Sequence, residues 1–253
     1  LDQLKLFRQL GSKTAGHPEY GLLNIIETTT GPLGQGLANA VGMAISEKLL
    51  SQKFTKSLVN HKTWVLVGDG CLMEGISQES ISLAGHLNLN NLIVLFDDNG
   101  ISIDGSTKLT TSDNQAKRFD ASNWLTLSIN GHNFKEIDNA MSTACKSNKP
   151  VLIACKTTIG FGSPNKSGTS SCHGSPLGDK EAIKTKKKLN WNHKPFHIPK
   201  EILSKWRQVG TQKIRVYRSW KDRLRKNKLR YKYNKQFENF EYKRKKNTQD
   251  YIN

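Results

Sequence analysis

The stretch VGDGCLMEG, residues 67–75, sets an aspartate between two glycines at the end of an apolar run. A second polar turn, Asp98–Asn99–Gly100, closes the apolar run at 91–96. A carboxylate from Asp69 and an amide oxygen from Asn99 suit a hard divalent cation. Magnesium takes oxygen ligands in octahedral geometry and is held by one or two side chains plus substrate phosphates. A backbone carbonyl as third protein ligand leaves positions for two phosphate oxygens and a water. One carboxylate plus a diphosphate then offsets the metal charge without excess repulsion. Gly68 and Gly70 let phosphates approach the backbone. The helix that follows adds free N–H groups and a favourable dipole at its start. Taken singly, each motif reads as a strand-end turn; together they make a metal–diphosphate site only if the fold brings them side by side.

The elements around them predict that it does. TWVLV (63–67) and NLIVLFDD (91–98) are apolar runs with β-branched residues, the pattern of buried strands. Between them, residues 73–89 predict a helix with Ile76, Ser80, Leu83 and Leu87 inward. A right-handed crossover makes such strands parallel neighbours. Their carboxyl ends then share the edge where open α/β sheets bind ligands. Residues 124–129 and 150–157 predict two more strands, with a helix at 134–147. Leu37, Val41, Ala44, Ile45 and Leu49 mark one face of an upstream helix, and Leu1, Leu4, Phe7 and Leu10 form a helical stripe. The expected class is α/β, a parallel sheet with helices on both faces.

Composition divides the chain. Net charge is +18 over 253 residues, but residues 179–253 hold 24 Lys and Arg against 7 Asp and Glu. Residues 1–178 hold 15 against 14. The reading is an α/β domain at 1–178 and a basic helical or partly disordered extension at 179–253. Helices are expected in DKEAIKTKKKL and from IPKEILSKW. The near-neutral body argues against nucleic acid as the partner of the whole protein. No apolar stretch reaches the length of a membrane helix. The four cysteines form no CxxC pair, so reduced thiols and a cytoplasmic location are expected. Cys172–His173 has no further Cys or His at ligand spacing. The sequence begins at Leu1, not Met, from which the start of a longer protein is expected to be absent.

GDG followed some thirty residues later by Asn is the thiamine-diphosphate signature. The blocks HPEYG, ETTTGPLGQGLANAVGMAISEK, GDGCLMEGISQESISLAGHL, DDNGISIDG and KTTIGFGSPNKSGT…HGSPLG, in this order, resemble transketolase over residues 1 to about 206. The resemblance implies thiamine diphosphate with Mg2+ or another divalent cation. Asp69, Asn99 and the backbone oxygen of Ile101 would bind the metal, and Gly70 would contact the diphosphate. Gly31, Leu33 and Ile103 would line the cofactor's rings, and Glu74 would link two active sites of a dimer. His17 and His173 would stand beside cofactor and sugar; read from their loops alone, both are solvated histidines. His61, His86 and His132 receive no role. The implied reaction moves a two-carbon ketol unit from a ketose phosphate to an aldose phosphate in the pentose phosphate pathway.

Two further histidine blocks of the family, SGHPG-like and NGHGS-like, do not occur here, nor does a pyrimidine-binding domain. The residues after SIDG depart from the family's aromatic continuation. The resemblance implies a homodimer, or pairing with a chain that supplies the pyrimidine domain, and an isolated chain without activity. Two other readings stay open: a non-catalytic remnant, and a protein that binds RNA or another polyanion through its basic tail, with Tyr217, Tyr231 and Tyr233 among the basic residues.

Overall fold

The computed structural model describes residues 1–235. The chain forms two compact units: Leu1–Ser46 with His61–His197, and Glu47–Asn60 with Ile198 onward.

The first unit is built on four parallel strands: β1 (Thr63–Gly68), β2 (Leu92–Asp98), β5 (Leu125–Asn130) and β6 (Val151–Lys156), in the order β1-β2-β6-β5. Gly68 pairs with Asp97, and Asp98 with Lys156, so the strands end level at one edge. Side chains alternate across the sheet. Leu92, Val94 and Phe96 face one core with Leu37, Val41 and Ala44 of α2 (Gln35–Phe54) and Ile81 and Ala84 of α4 (Gly75–His86). Ile93 and Ile153 face another, with Ala140 and Ala144 of α6 (Phe134–Lys146). Helices thus flank both faces, as the sequence predicts. On the second face of edge strand β1, Leu66 is still 71% exposed.

Several local expectations need correction. The stripe at Leu1–Leu10 yields only the turn α1 (Asp2–Lys5), none of it buried. Arg8 adopts φ 62° and its N–H donates to Thr14 O at 2.8 Å, so the chain folds back instead of continuing helically. The helix expected at 73–89 is α4, preceded by a separate short helix, α3 (Asp69–Met73), that the sequence did not suggest. α3 stops where Glu74 turns extended, and α4 begins at Gly75. The last carbonyls of α3 are satisfied by side chains: Ser77 Oγ donates to Cys71 O at 2.5 Å, and Gln78 Nε2 donates to Leu72 O. The buried face of α4 is Ser77, Ser80, Ile81, Ala84 and Gly85, with Ile76 and Leu83 outward. Leu49 of α2 is also exposed. Two elements lie outside the expected set: the short ladder of β3 (Ile101–Ser102) with β4 (Gly105–Ser106), and α5 (Gln115–Ala121).

The boundary expected at Gly178 is not where the compact units divide. α7 (Asp179–Lys188) belongs to the first unit, because Glu181 is buried there. Its carboxylate accepts from Ser163 Oγ, from Asn165 N at 2.7 Å and from Asn165 Nδ2 at 2.9 Å. The second unit packs Phe54, Leu58 and Val59 against Leu224, Leu229 and Tyr233. α8 (Lys200–Lys226) runs well beyond the IPKEILSKW start, and Trp220 Nε1 donates to Leu58 O at 2.9 Å. The expected disorder falls partly on residues 236–253, outside those described. Among the described residues, no helix is long and apolar enough to cross a membrane.

Candidate functional site

β1 and β2 deliver the two polar turns to the same place. Asp69 opens α3 immediately after β1, and its Oδ2 accepts from Gly100 N at 3.2 Å across 31 residues of sequence. Asn99 follows β2; its Oδ1 accepts from Ile101 N at 2.9 Å. The parallel pairing of Gly68 with Asp97 makes this proximity unavoidable. Burial pushes the Asp69 carboxyl above its usual range. Asp98 and Asp97 add to the rise, and the N–H groups of Gly100 and Asn99 oppose it. Asp98 is paired with Lys156 Nζ at 2.5 Å. Beside Asp69 a cavity of about 420 Å³ opens, lined among others by Met73, Asp98, Thr111, Asn114 and Lys156.

Other expected residues converge on the same corner. A Cβ at Gly70 would stand 3.2 Å from Leu33 Cδ1, and one at Gly31 would stand 3.4 Å from His17 Cγ. Gly34, at φ 81°, needs glycine twice over: a Cβ there would lie 2.7 Å from Ile76 Cγ2 and 2.9 Å from Glu74 Cβ. The Gly31–Gly34 loop is therefore seated on the α3–α4 break, with His17, Leu33, Gly70 and Glu74 around it. Leu33 is 53% exposed, so this corner is open.

Ile103 and His173 are carried by other elements than the Asp69–Asn99 pair. Ile103 lies between β3 and β4 and is 73% exposed. His173 follows the 3-10 turn Ser170–Cys172, and its N–H donates to Ser170 O at 2.9 Å. Neither side chain hydrogen-bonds to that pair among the described residues. The loop before His173 is held by Glu181 through Ser163 and Asn165. His132, without a role from the sequence, steadies the start of that loop: its Nε2 accepts from Thr158 N at 3.0 Å and its ring stacks on Phe161 at 4.1 Å.

The Glu181 staple has a pH signature. The Ser163 and Asn165 donors hold its carboxyl at about 2. Its folded value lies below the unfolded one, so its contribution is complete above pH about 4.5 and disappears as pH falls toward about 2. Glu181→Gln, which meets three donors with one acceptor oxygen, is expected to lower the melting temperature at pH 6. The gap to wild type should narrow between pH 4.5 and 2. A constant gap across that range would show that the staple is not ionic.

No cluster of three or more His, Cys, Asp and Glu suited to a metal occurs among the described residues. The donors expected from the sequence, Asp69 with the Asn99 amide and the Ile101 backbone oxygen, would be of another kind. Such a set would be all oxygen, which fits a hard cation, and burial with two neighbouring carboxylates disfavours the Asp69 charge. All four cysteines are free.

A family model described as transketolase, thiamine diphosphate binding domain, matches residues 1–249. The chain belongs to the transketolase family. It is 53% identical over 224 residues to a transketolase of Rhodobacter capsulatus, covering 88% of this chain and 33% of that protein. It is 53% identical over 229 residues to a transketolase of Buchnera aphidicola, covering 88% and 34%. The solved transketolase of Campylobacter jejuni superposes with a TM-score of 0.88 at 43% identity, covering 91% of this chain and 36% of that one. That of Leishmania mexicana gives 0.86 at 40%, covering 89% and 34%. The chain thus spans about a third of the length of these relatives, over the thiamine-diphosphate-binding domain.

The cavity residues Thr111 and Asn114 and the second-strand Asp97 escaped the sequence reading. For α5 the signal was present: Asn114 Oδ1 accepts from Lys117 N at 3.0 Å, a helix cap that the sequence DNQAK spells out.

Proposed function

We propose that this transketolase domain grips the magnesium complex of thiamine diphosphate at the carboxyl ends of β1 and β2. Its use would be two-carbon ketol transfer between sugar phosphates of the pentose phosphate pathway. The observation that carries the reading is the meeting of Asp69 with the Asn99–Gly100 turn. Asp69, Asn99 and the Ile101 carbonyl hold the cation, and Gly70 lets the diphosphate approach the start of α3. Gly31, Leu33 and Ile103 line the organic part, and Glu74 faces a second subunit. His17 and His173 hold or move protons on the sugar, as imidazoles do near neutral pH. When bound, the cofactor supplies the electron sink for breaking the ketose carbon–carbon bond.

The open apolar residues Leu33, Ile103 and Phe161 support a site completed by a partner, either a second copy or a chain carrying the pyrimidine domain. Two measurements test the reading. Titration calorimetry is expected to show weak thiamine diphosphate binding that magnesium strengthens. The purified 253-residue chain is expected to show no turnover of xylulose 5-phosphate with ribose 5-phosphate until a pyrimidine-domain chain is added. Magnesium-independent binding would sink the grip, and turnover by the chain alone would sink the need for a partner.

A further inference from the structure

Asp97 is the next-to-last residue of β2, and both of its carboxylate oxygens have partners. Thr157 Oγ1, one residue beyond β6, donates to Oδ1, and Asn99 Nδ2 donates to Oδ2 at 3.2 Å. The adjacency follows from the sheet: Asp98 pairs with Lys156, and Thr157 N donates to Asp98 O at 3.3 Å.

A carboxylate accepts and does not donate, so an amide facing it must present its nitrogen. At the other end of the same amide, Asn99 Oδ1 accepts from Ile101 N at 2.9 Å. Both contacts demand the same orientation of the carboxamide. The oxygen keeps a second lone pair, and it is the atom turned away from Asp97. With the amide reversed, an NH2 group would stand there, and a donor cannot ligate a hard cation.

We propose that Asp97 is a positioning residue of the metal–diphosphate grip: it locks the Asn99 carboxamide with its oxygen left for the cation, and Thr157 locks Asp97. The inference rests on the reading of Asp69 and Asn99 as metal ligands. Partners behind a metal ligand are worth about 10–100-fold in metal affinity. Asp97 is therefore a determinant of magnesium affinity that does not itself touch the metal.

The test is calorimetry on the 253-residue chain: thiamine diphosphate titrated with and without magnesium, and magnesium titrated at saturating thiamine diphosphate. Asp97→Ala is expected to weaken magnesium binding by about 10–100-fold. Its residual, magnesium-free cofactor binding should match that of wild type. Asp97→Asn is expected to restore magnesium affinity to within about threefold, since its carbonyl can accept from Asn99 and its amide can donate to Thr157 Oγ1. Thr157→Val removes the outer lock and should fall between the two; it decides the matter if Asp97→Ala does not fold. Unchanged magnesium affinity in folded Asp97→Ala, or in Thr157→Val, overturns the proposal. So does equal weakening with and without magnesium, which is the mark of a merely structural role. Asp69→Ala separates the two levels: if that variant keeps magnesium-dependent binding, the ligand reading itself fails. A wild-type chain without magnesium-dependent binding would overturn both.

Discussion

Asp69→Ala is expected to lose magnesium-dependent thiamine diphosphate binding while the protein stays folded. The loss should reach about 100-fold or more, the upper end of what even the outer partners of a metal ligand cost. Asp69 is the carboxylate that meets the Asn99–Gly100 turn, and in the proposed grip its charge would offset the cation directly. Stability should scarcely move, and the reason is electrostatic. Burial and the neighbouring Asp98 and Asp97 already disfavour the ionised carboxyl when no cation is there. Alanine removes that penalty along with the hydrogen bonds from the Gly100 and Asn99 N–H groups. Each half-exposed hydrogen bond is worth ~1 kcal/mol, or about 2–4 °C of melting temperature in a chain of this size. The relieved repulsion opposes even this. Binding and stability should therefore part company, as they do where a site keeps charges for its ligand at the expense of the fold. Calorimetry and thermal unfolding on the same preparation check it. A melting temperature that collapses would make Asp69 structural, and retained magnesium dependence would remove it from the ligand set.

What the sequence disclosed and what it hid follow from the range of each interaction. Asp69 and Asn99 could be placed together because they end consecutive strands joined by one crossover. Asp97 and Thr157 could not, because they are 60 residues apart and meet only where β6, not β5, lies beside β2. Strand order of that kind is not written in the apolar pattern. The α3–α4 break was hidden for a different reason: Ser77 and Gln78 satisfy carbonyls that a continuous helix would have bonded internally. Periodicity sees Ile76 and Leu83 as apolar and assigns them inward; the fold turns them out. Charge counting cannot see one buried Glu181 in a run of lysines. The His17–Gly31 and Leu33–Gly70 approaches were not legible at all, since loop-to-loop packing has no period to read.

Gly85→Ala is expected to be the most destabilising small substitution in the domain. Gly85 lies on the buried face of α4, and a Cβ there would fall 1.7 Å from Ser122 O. That oxygen belongs to the backbone at the end of α5, so no rotamer change relieves the clash. Its neighbours are also committed. Trp124 is 1% exposed, packs edge-on against Phe119 at 4.9 Å, and donates from Nε1 to Ile81 O at 2.9 Å, one turn back along α4. Asn123 between them already holds φ 68°. Admitting a methyl group means moving residues 122–124 away from α4, which breaks the tryptophan hydrogen bond and opens the core beneath it. Alanine favours a helix over glycine by about 1 kcal/mol. Overpacking with a lost buried hydrogen bond costs ~3 kcal/mol or more, so destabilisation wins. The net, at least about 2 kcal/mol, corresponds to a fall of about 4–8 °C in melting temperature. Urea unfolding should show a lower midpoint with an unchanged slope. The same shift moves α5, whose Gln115 and Ala116 line the cavity beside Asp69, yet it leaves Asp69 and Asn99 in place. Folded Gly85→Ala at low temperature should accordingly keep its magnesium dependence. A melting temperature equal to or above that of wild type would mean that α4 and the Ser122 carbonyl do not approach as closely as the fold places them.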